Sequence, residues 1–156
     1  MIELQIPGRG RITIENVIFD YNGTLAVDGV LSPVVKARLN RLAERLNVYI
    51  LTADTYGTAA KACEELEVVL KTFPKEKAGR EKQKIVRELG GDKSIVVGNG
   101  NNDMEMFEES ILTFAVLMEE GCYGKLIYCA DMVFQHIKEV FDALESPRRI
   151  KATLRN

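Results

Sequence analysis

The sequence has no long hydrophobic run. No stretch approaches the roughly 18 consecutive apolar residues that a bilayer-spanning helix needs, so a transmembrane segment is excluded. The first eleven residues, MIELQIPGRGR, lack the apolar stretch of a secretory leader, and a cytoplasmic location is expected. Neither sign of charge is in excess: 21 Lys and Arg against 23 Asp and Glu give a net −2. That balance carries no electrostatic footprint for nucleic acid. Cysteine is scarce: Cys63, Cys122 and Cys129 are an odd count without CxxC spacing. They read as buried thiols in a reducing compartment, with Cys122 and Cys129 on one helix face. The one histidine, His136, excludes a His-rich metal site. It reads as a partly exposed helix position. Internal repeats, low-complexity segments and linkers are also missing.

What is present is an ordinary globular composition, 46% hydrophobic and 28% charged over 156 residues. A chain of this length buries roughly 70% of its unfolded surface, which supports a single domain over 1–156. IELQI (2–6) and RITI (11–14) flank PGRG and predict a hairpin. Apolar strands then alternate with amphipathic helices. NVIFD (16–20) predicts a strand that ends on an acid. Ser32 as N-cap, Pro33 at the first position and leucines 39, 42 and 46 predict a helix over 33–46. The pattern continues with strand 47–52, helix 55–66, edge strand 68–73 and helix 81–89, stopped at Gly90-Gly91. Strand 94–98, a helix within 101–110, strand 111–117, helix 122–130, strand 131–134 and a last helix complete it. Such alternation implies a three-layer α/β/α fold around a parallel sheet, with ligands at the carboxyl ends of the strands.

Several polar residues fall at those ends. Asp20 closes the first parallel strand and leads into a turn with Asn22, Gly23 and Thr24. Thr52 ends the second strand, before Ala53. Lys82 and Lys84 lie near the start of the helix over 81–89. Asn99 and Asp103 sit on the turn GNGNND. Each has a plain structural reading alone: Asp20 as a cap, Thr52 as an N-cap, Lys82 as a solvated side chain. The Gly98-Asn99-Gly100 turn is not the dinucleotide fingerprint, since position 103 is Asp. Taken in order they suit phosphoryl transfer to a carboxylate. Asp20 would attack phosphorus, and Thr52 and Lys82 would hold phosphate oxygens. Mg²⁺ would bind oxygens of both Asp20 and the phosphate, and Asp103 would anchor it through water and orient the lysine.

FDYNGTL, ILT, Lys82 and GNGNND together resemble the four motifs of the haloacid dehalogenase-like (HAD) superfamily. The resemblance covers residues 16–105, and the α/β alternation extends it to about 145. DYNGTLA, TAD, EKQKIVREL and GNGNND are similar within it to the phosphorylation domain of P-type ATPases, and to soluble P-type ATPase-like phosphatases. Lys82 rather than Lys84 falls in that register. Asn22 and Thr52 are only 30 positions apart, so the large nucleotide-binding insert and any cap are missing. The resemblance implies a Mg²⁺-dependent phosphatase for a small phosphorylated substrate or nucleotide, with Gly23, Thr24, Thr52, Ala53 and Lys82 binding the phosphate and Asp20, Asn22, Asn99 and Asp103 holding the metal.

Two departures stand out. Asn22 replaces the general acid/base Asp, so turnover is expected to be slow. Asn99 replaces a metal-binding Asp, so metal affinity is expected to fall. Asp28 and Asp54 are the nearby acids that could compensate, though each also reads as a surface loop acid. The alternative is a weakened module that binds a phosphorylated ligand or a protein partner. An exposed site and the Ile/Val-rich IELQI edge suggest a homo-oligomer. The basic segment SPRRIKATLR reads as a solvated tail helix, and Met104, Met106 and Phe107 as core.

Overall fold

A computed structural model describes residues 1–54 and 57–156. β1 (Ile2–Ile6) and β2 (Gly10–Ile14) form an antiparallel hairpin that stands apart from the main sheet. Alternate residues Ile2, Leu4, Ile6, Ile12 and Ile14 are buried on the chain's own core.

The main sheet holds β3 (Asn16–Asp20), β4 (Asn47–Thr52), β5 (Val69–Thr72), β6 (Ser94–Gly98), β7 (Leu112–Val116) and β8 (Met132–Phe134). All neighbours are parallel, in the order β5-β4-β3-β6-β7-β8. β3, β6 and β7 are buried at every position, as central parallel strands must be. Pleating sends Val17 and Phe19 into one core and Ile18 into the other. The first core is closed by α1 (Pro33–Ala43), α2 (Ala59–Cys63), α6 (Ile137–Glu145), α7 (Arg148–Leu154) and the hairpin. The second is closed by α3 (Ala78–Leu89), α4 (Met104–Glu108) and α5 (Gly124–Cys129). Met106 and Phe107 lie in that second core, and Met104 packs against it.

The local signals explain most element ends. Ser32 Oγ accepts from Val35 N at 3.3 Å and Pro33 opens α1. Gly90, at φ 91°, ends α3. α1 ends at Ala43 rather than 46, because Asn47 must already be extended to pair with Asn16. The helix expected over 55–66 is shorter: its first two residues lie outside the described ones, and α2 spans only Ala59–Cys63. Asp54 Oδ1 accepts from Ala59 N at 3.0 Å and fixes that start.

Three other expectations are corrected. His136 is the N-cap of α6, extended in backbone, with Nδ1 accepting from Lys138 N. Cys122 precedes α5, so it shares no helix face with Cys129, which is exposed. Only Cys63 is fully buried, and burial pushes its thiol up. The C-terminal helix α7 has one dry face, with Ile150 and Leu154 buried, and packs on α6 and β1.

Candidate active site

Strand register assembles the site. Asp20 pairs with Leu51 across β3 and β4, which sets Thr52 one step further along the neighbouring strand. Phe19 pairs with Val97 across β3 and β6, which puts Gly98 level with Asp20 and Asn99 just beyond. Three strand ends thus meet at one rim. Helix α3 adds Lys82 from its fifth position, and the turn after β6 adds Asp103.

Lys82 is 1% exposed, and its ammonium lies 2.5 Å from Asp20 Oδ1 and 2.6 Å from Asp103 Oδ1. Lys84, by contrast, points to solvent beside Glu88. The other Asp103 oxygen, Oδ2, accepts from the backbone N–H groups of Asn99 (2.9 Å) and Gly100 (2.8 Å). Asp103 is wholly buried and both its oxygens are engaged. Gly98 makes room for it, since a Cβ there would lie 2.5 Å from Oδ2.

Asp20 Oδ2 and Asn99 Oδ1 each lie 3.2 Å from the Thr24 hydroxyl. Asn99 also donates through Nδ2 to the Gly121 carbonyl at 3.0 Å, and its own carbonyl accepts from Tyr123 N at 2.7 Å. Gly23, at φ 80°, is required here: a Cβ would sit 2.3 Å from Asn99 Nδ2. Thr52 Oγ1 accepts from Asp54 N at 2.8 Å, which leaves its O–H free to donate. Ala53, half-buried, follows it on the same rim. Asn22 Oδ1 is buried and has no hydrogen-bond partner among the described residues.

The array carries two carboxylates against one ammonium. Burial pushes the Asp20 carboxyl up to about 7, the Asp103 charge pushes the same way, and Lys82 pulls back. Burial works against the Lys82 ammonium, but Asp103 and then Asp20 more than offset it, so its value rises above the ordinary lysine range. An acid, a fixed cation and hydroxyl donors therefore face a common rim where water is scarce.

Asp28 and Asp54 do not add free carboxylates to this array. Asp28 is exposed on the Val27–Val30 turn, where its N–H donates to Glu120 Oε1 at 2.8 Å. Asp54 caps α2. Among the described residues no cluster of three or more His, Cys, Asp or Glu could hold a metal.

No family model matches the sequence. An uncharacterized protein of Methanocaldococcus jannaschii is 37% identical over 89 residues, spanning 53% of this chain and 96% of that one. A second uncharacterized protein of the same organism is 51% identical over 39 residues, 25% of this chain and 89% of its own length. Among solved structures, the cobalt-bound deoxy-D-mannose-octulosonate 8-phosphate phosphatase of Haemophilus influenzae superposes with a TM-score of 0.72. The match covers 92% of this chain and 94% of that one at 13% identity. A Legionella pneumophila protein assigned to HAD superfamily subfamily III A gives 0.67 over 90% and 87% at 17% identity. The chain belongs to the family of the longer M. jannaschii protein, and its fold is that of the HAD superfamily.

The HAD fold explains why the sheet order centres on β3 and β6: both strands end where the Asp20, Lys82 and Asp103 side chains meet. The motif register points to Lys82, whereas nothing in it points to the bonds by which Asn99 ties down the segment after β7. The signal lay in the residue type, since an amide can donate to the Gly121 carbonyl and a carboxylate cannot. Asn99→Asp is therefore expected to lower the melting temperature of the metal-free protein. It sets a third carboxylate beside Asp20 and leaves a carbonyl without its donor, at about 1–3 kcal/mol. Thermal melts with and without Mg²⁺ check this: the deficit should shrink when the ion is present.

Proposed function

We propose that this chain is a Mg²⁺-dependent phosphohydrolase of the HAD type, acting through an aspartyl-phosphate on Asp20. The observation that supports it best is the buried ammonium of Lys82 bridging Asp20 and Asp103 at the carboxyl edge of the sheet. Asp20 attacks phosphorus, and the bond from phosphorus to the substrate oxygen breaks as the new one forms. Water then cleaves the acyl phosphate and returns Asp20. Lys82 and the free Thr52 O–H take the phosphate oxygens as charge spreads over them, with Gly23, Thr24 and Ala53 lining the phosphate position. Asp103 holds Lys82 in place through Oδ1, while its Oδ2 is held by the N–H groups of Asn99 and Gly100.

The residues fit a hard, oxygen-loving dication. Asp20 offers a carboxylate, Asn99 an amide oxygen, and Asn22 a buried amide oxygen that lacks a partner. Asp20, Asn22 and Asn99 would hold the ion, with Asp103 acting from behind through its N–H bonds to the Asn99 backbone. Magnesium would offset the repulsion between carboxylate and phosphate. The Moraxella catarrhalis octulosonate phosphatase, solved with magnesium and phosphate, has the same fold at a TM-score of 0.65 and 15% identity.

Asn22 cannot carry a proton, so the leaving group and the attacking water lack a general acid/base there. Asn22→Asp is expected to raise turnover by about 10²-fold, most for esters with poor leaving groups. Burial would help by lifting the new carboxyl toward neutral pH. The proposal itself is tested by Mg²⁺-dependent hydrolysis of an aryl phosphate, with Asp20→Asn as the control. Hydrolysis that persists in Asp20→Asn defeats the mechanism. A module that only binds phosphorylated ligands would instead show Mg²⁺-dependent phosphate binding and no hydrolysis by either protein.

A further inference from the structure

Beside the rim lies an open cavity of about 580 Å³, within the size range of small-ligand sites. It is shared by three loops that all leave the carboxyl edge of the sheet. Lys75 comes from the segment after β5, Asn101 and Asn102 from the turn after β6, and Lys125 from the first turn of α5. Glu105 and Glu108 on α4 also line the cavity. Three links run from its lining to the phosphate site. Asn101 and Asn102 directly precede Asp103. Gly79, which lines the cavity, lies one helical turn before Lys82 on α3. Tyr123, also in the wall, donates its N–H to the Asn99 carbonyl.

We infer that this cavity receives the alcohol portion of the phosphomonoester, and that it selects a neutral, polyhydroxylated one such as a sugar or polyol. The inference rests on the phosphohydrolase reading above. Two lysines and two glutamates cancel in charge, which disfavours a second phosphate or a polyphosphate chain. Donors (Lys75, Lys125) and acceptors (Glu105, Glu108) sit together with two amides that do both. Hydroxyl groups donate and accept at once and point in several directions, so a polyol can satisfy such a wall where an aryl group cannot, and where the donors and acceptors of a flat base lie in one plane. Leaving those polar groups unpaired beneath an apolar ligand would be penalised. Gly79 belongs to the same design: a Cβ there would lie 2.1 Å from Glu105 Oε2, so the glutamate lies flat against the first turn of α3.

The test compares kcat/KM for sugar monophosphates, nucleoside monophosphates and an aryl phosphate in the unaltered protein and in Asn102→Ala, Glu108→Gln and Lys125→Ala. All three positions are exposed, so folding is not in question. The unaltered protein should prefer at least one sugar or polyol phosphate over both other classes. Each variant should lower the ratio of sugar-phosphate to aryl-phosphate kcat/KM by tenfold or more, mainly through KM. Ratios unchanged in all three variants, or a preference for nucleotides, would overturn the subsite while leaving the hydrolase reading in place. Absence of hydrolysis of every ester by the unaltered protein would overturn both.

Discussion

Asp20→Asn is expected to abolish phosphatase turnover and to make the protein more stable. The first effect follows from removing the nucleophile. The second follows from the charge balance. Asp20 in the folded chain holds its proton up to about 7, against 3.8 for an exposed aspartate. The folded state therefore binds more protons than the unfolded state between those values, and the unaltered protein loses stability as pH rises through that window. Asparagine has the shape of the protonated acid and no charge. It can still accept from Lys82, and Lys82 keeps Asp103 as its counter-ion. The gain should be near zero at pH 4, grow up to about pH 7 and then level off. Because the shift is shared among three coupled groups, about 1–3 kcal/mol is expected at pH 8. Chemical denaturation of both proteins from pH 4 to 8 checks this. A variant less stable than the parent at pH 8 would show that the Asp20–Lys82 attraction outweighs the burial of the acid.

Lys82→Met is expected to do the reverse. It removes the only cation between two buried carboxylates and should cost about 3–5 kcal/mol at pH 8, the range for leaving buried charge unpaired. The melting temperature should fall by roughly 10 °C or more for a chain of this size. Catalysis should vanish with it. The loss should be smaller at pH 5, where Asp20 can take up a proton. It should also be partly recovered in the Asp20→Asn/Lys82→Met double variant, where only Asp103 remains charged. Lys84→Met, two residues away and exposed, should change stability by less than about 0.5 kcal/mol. Equal effects at positions 82 and 84 would contradict the buried ammonium.

The contrast between these two lysines shows how much the sequence reveals and where it stops. Parallel strands bury both faces, so runs such as SIVVG and NVIFD announce themselves, and their last residues mark the rim. That made Asp20, Thr52 and Asn99 legible as neighbours before any coordinates. Motif register favours Lys82, but burial depends on how α3, through Val86, lies over Ile18 and Val96, which is tertiary packing. The elements misjudged are the short ones. α2 starts only at Ala59, where Asp54, two positions beyond β4, accepts from the Ala59 N–H, and it spans five residues. Cys122 left the helix because α5 begins only at Gly124. His136 carries the side chain of a cap, a role its spacing among apolar residues does not reveal. The Asn99 link to Gly121 joins residues 22 positions apart and leaves no periodic trace.

The most direct test of the mechanism is to look for the phosphorylated enzyme. The protein is incubated with Mg²⁺ and a reactive phosphoryl donor, quenched in acid and digested, and its peptides are weighed. With no general base at position 22, hydrolysis of the acyl phosphate should be slow and the intermediate should accumulate. The expected result is a peptide containing Asp20 heavier by one phosphoryl group, acid-stable, released by hydroxylamine and absent from Asp20→Asn. Steady hydrolysis of the donor with no such adduct, or an adduct that persists in Asp20→Asn, would contradict an aspartyl-phosphate at this site.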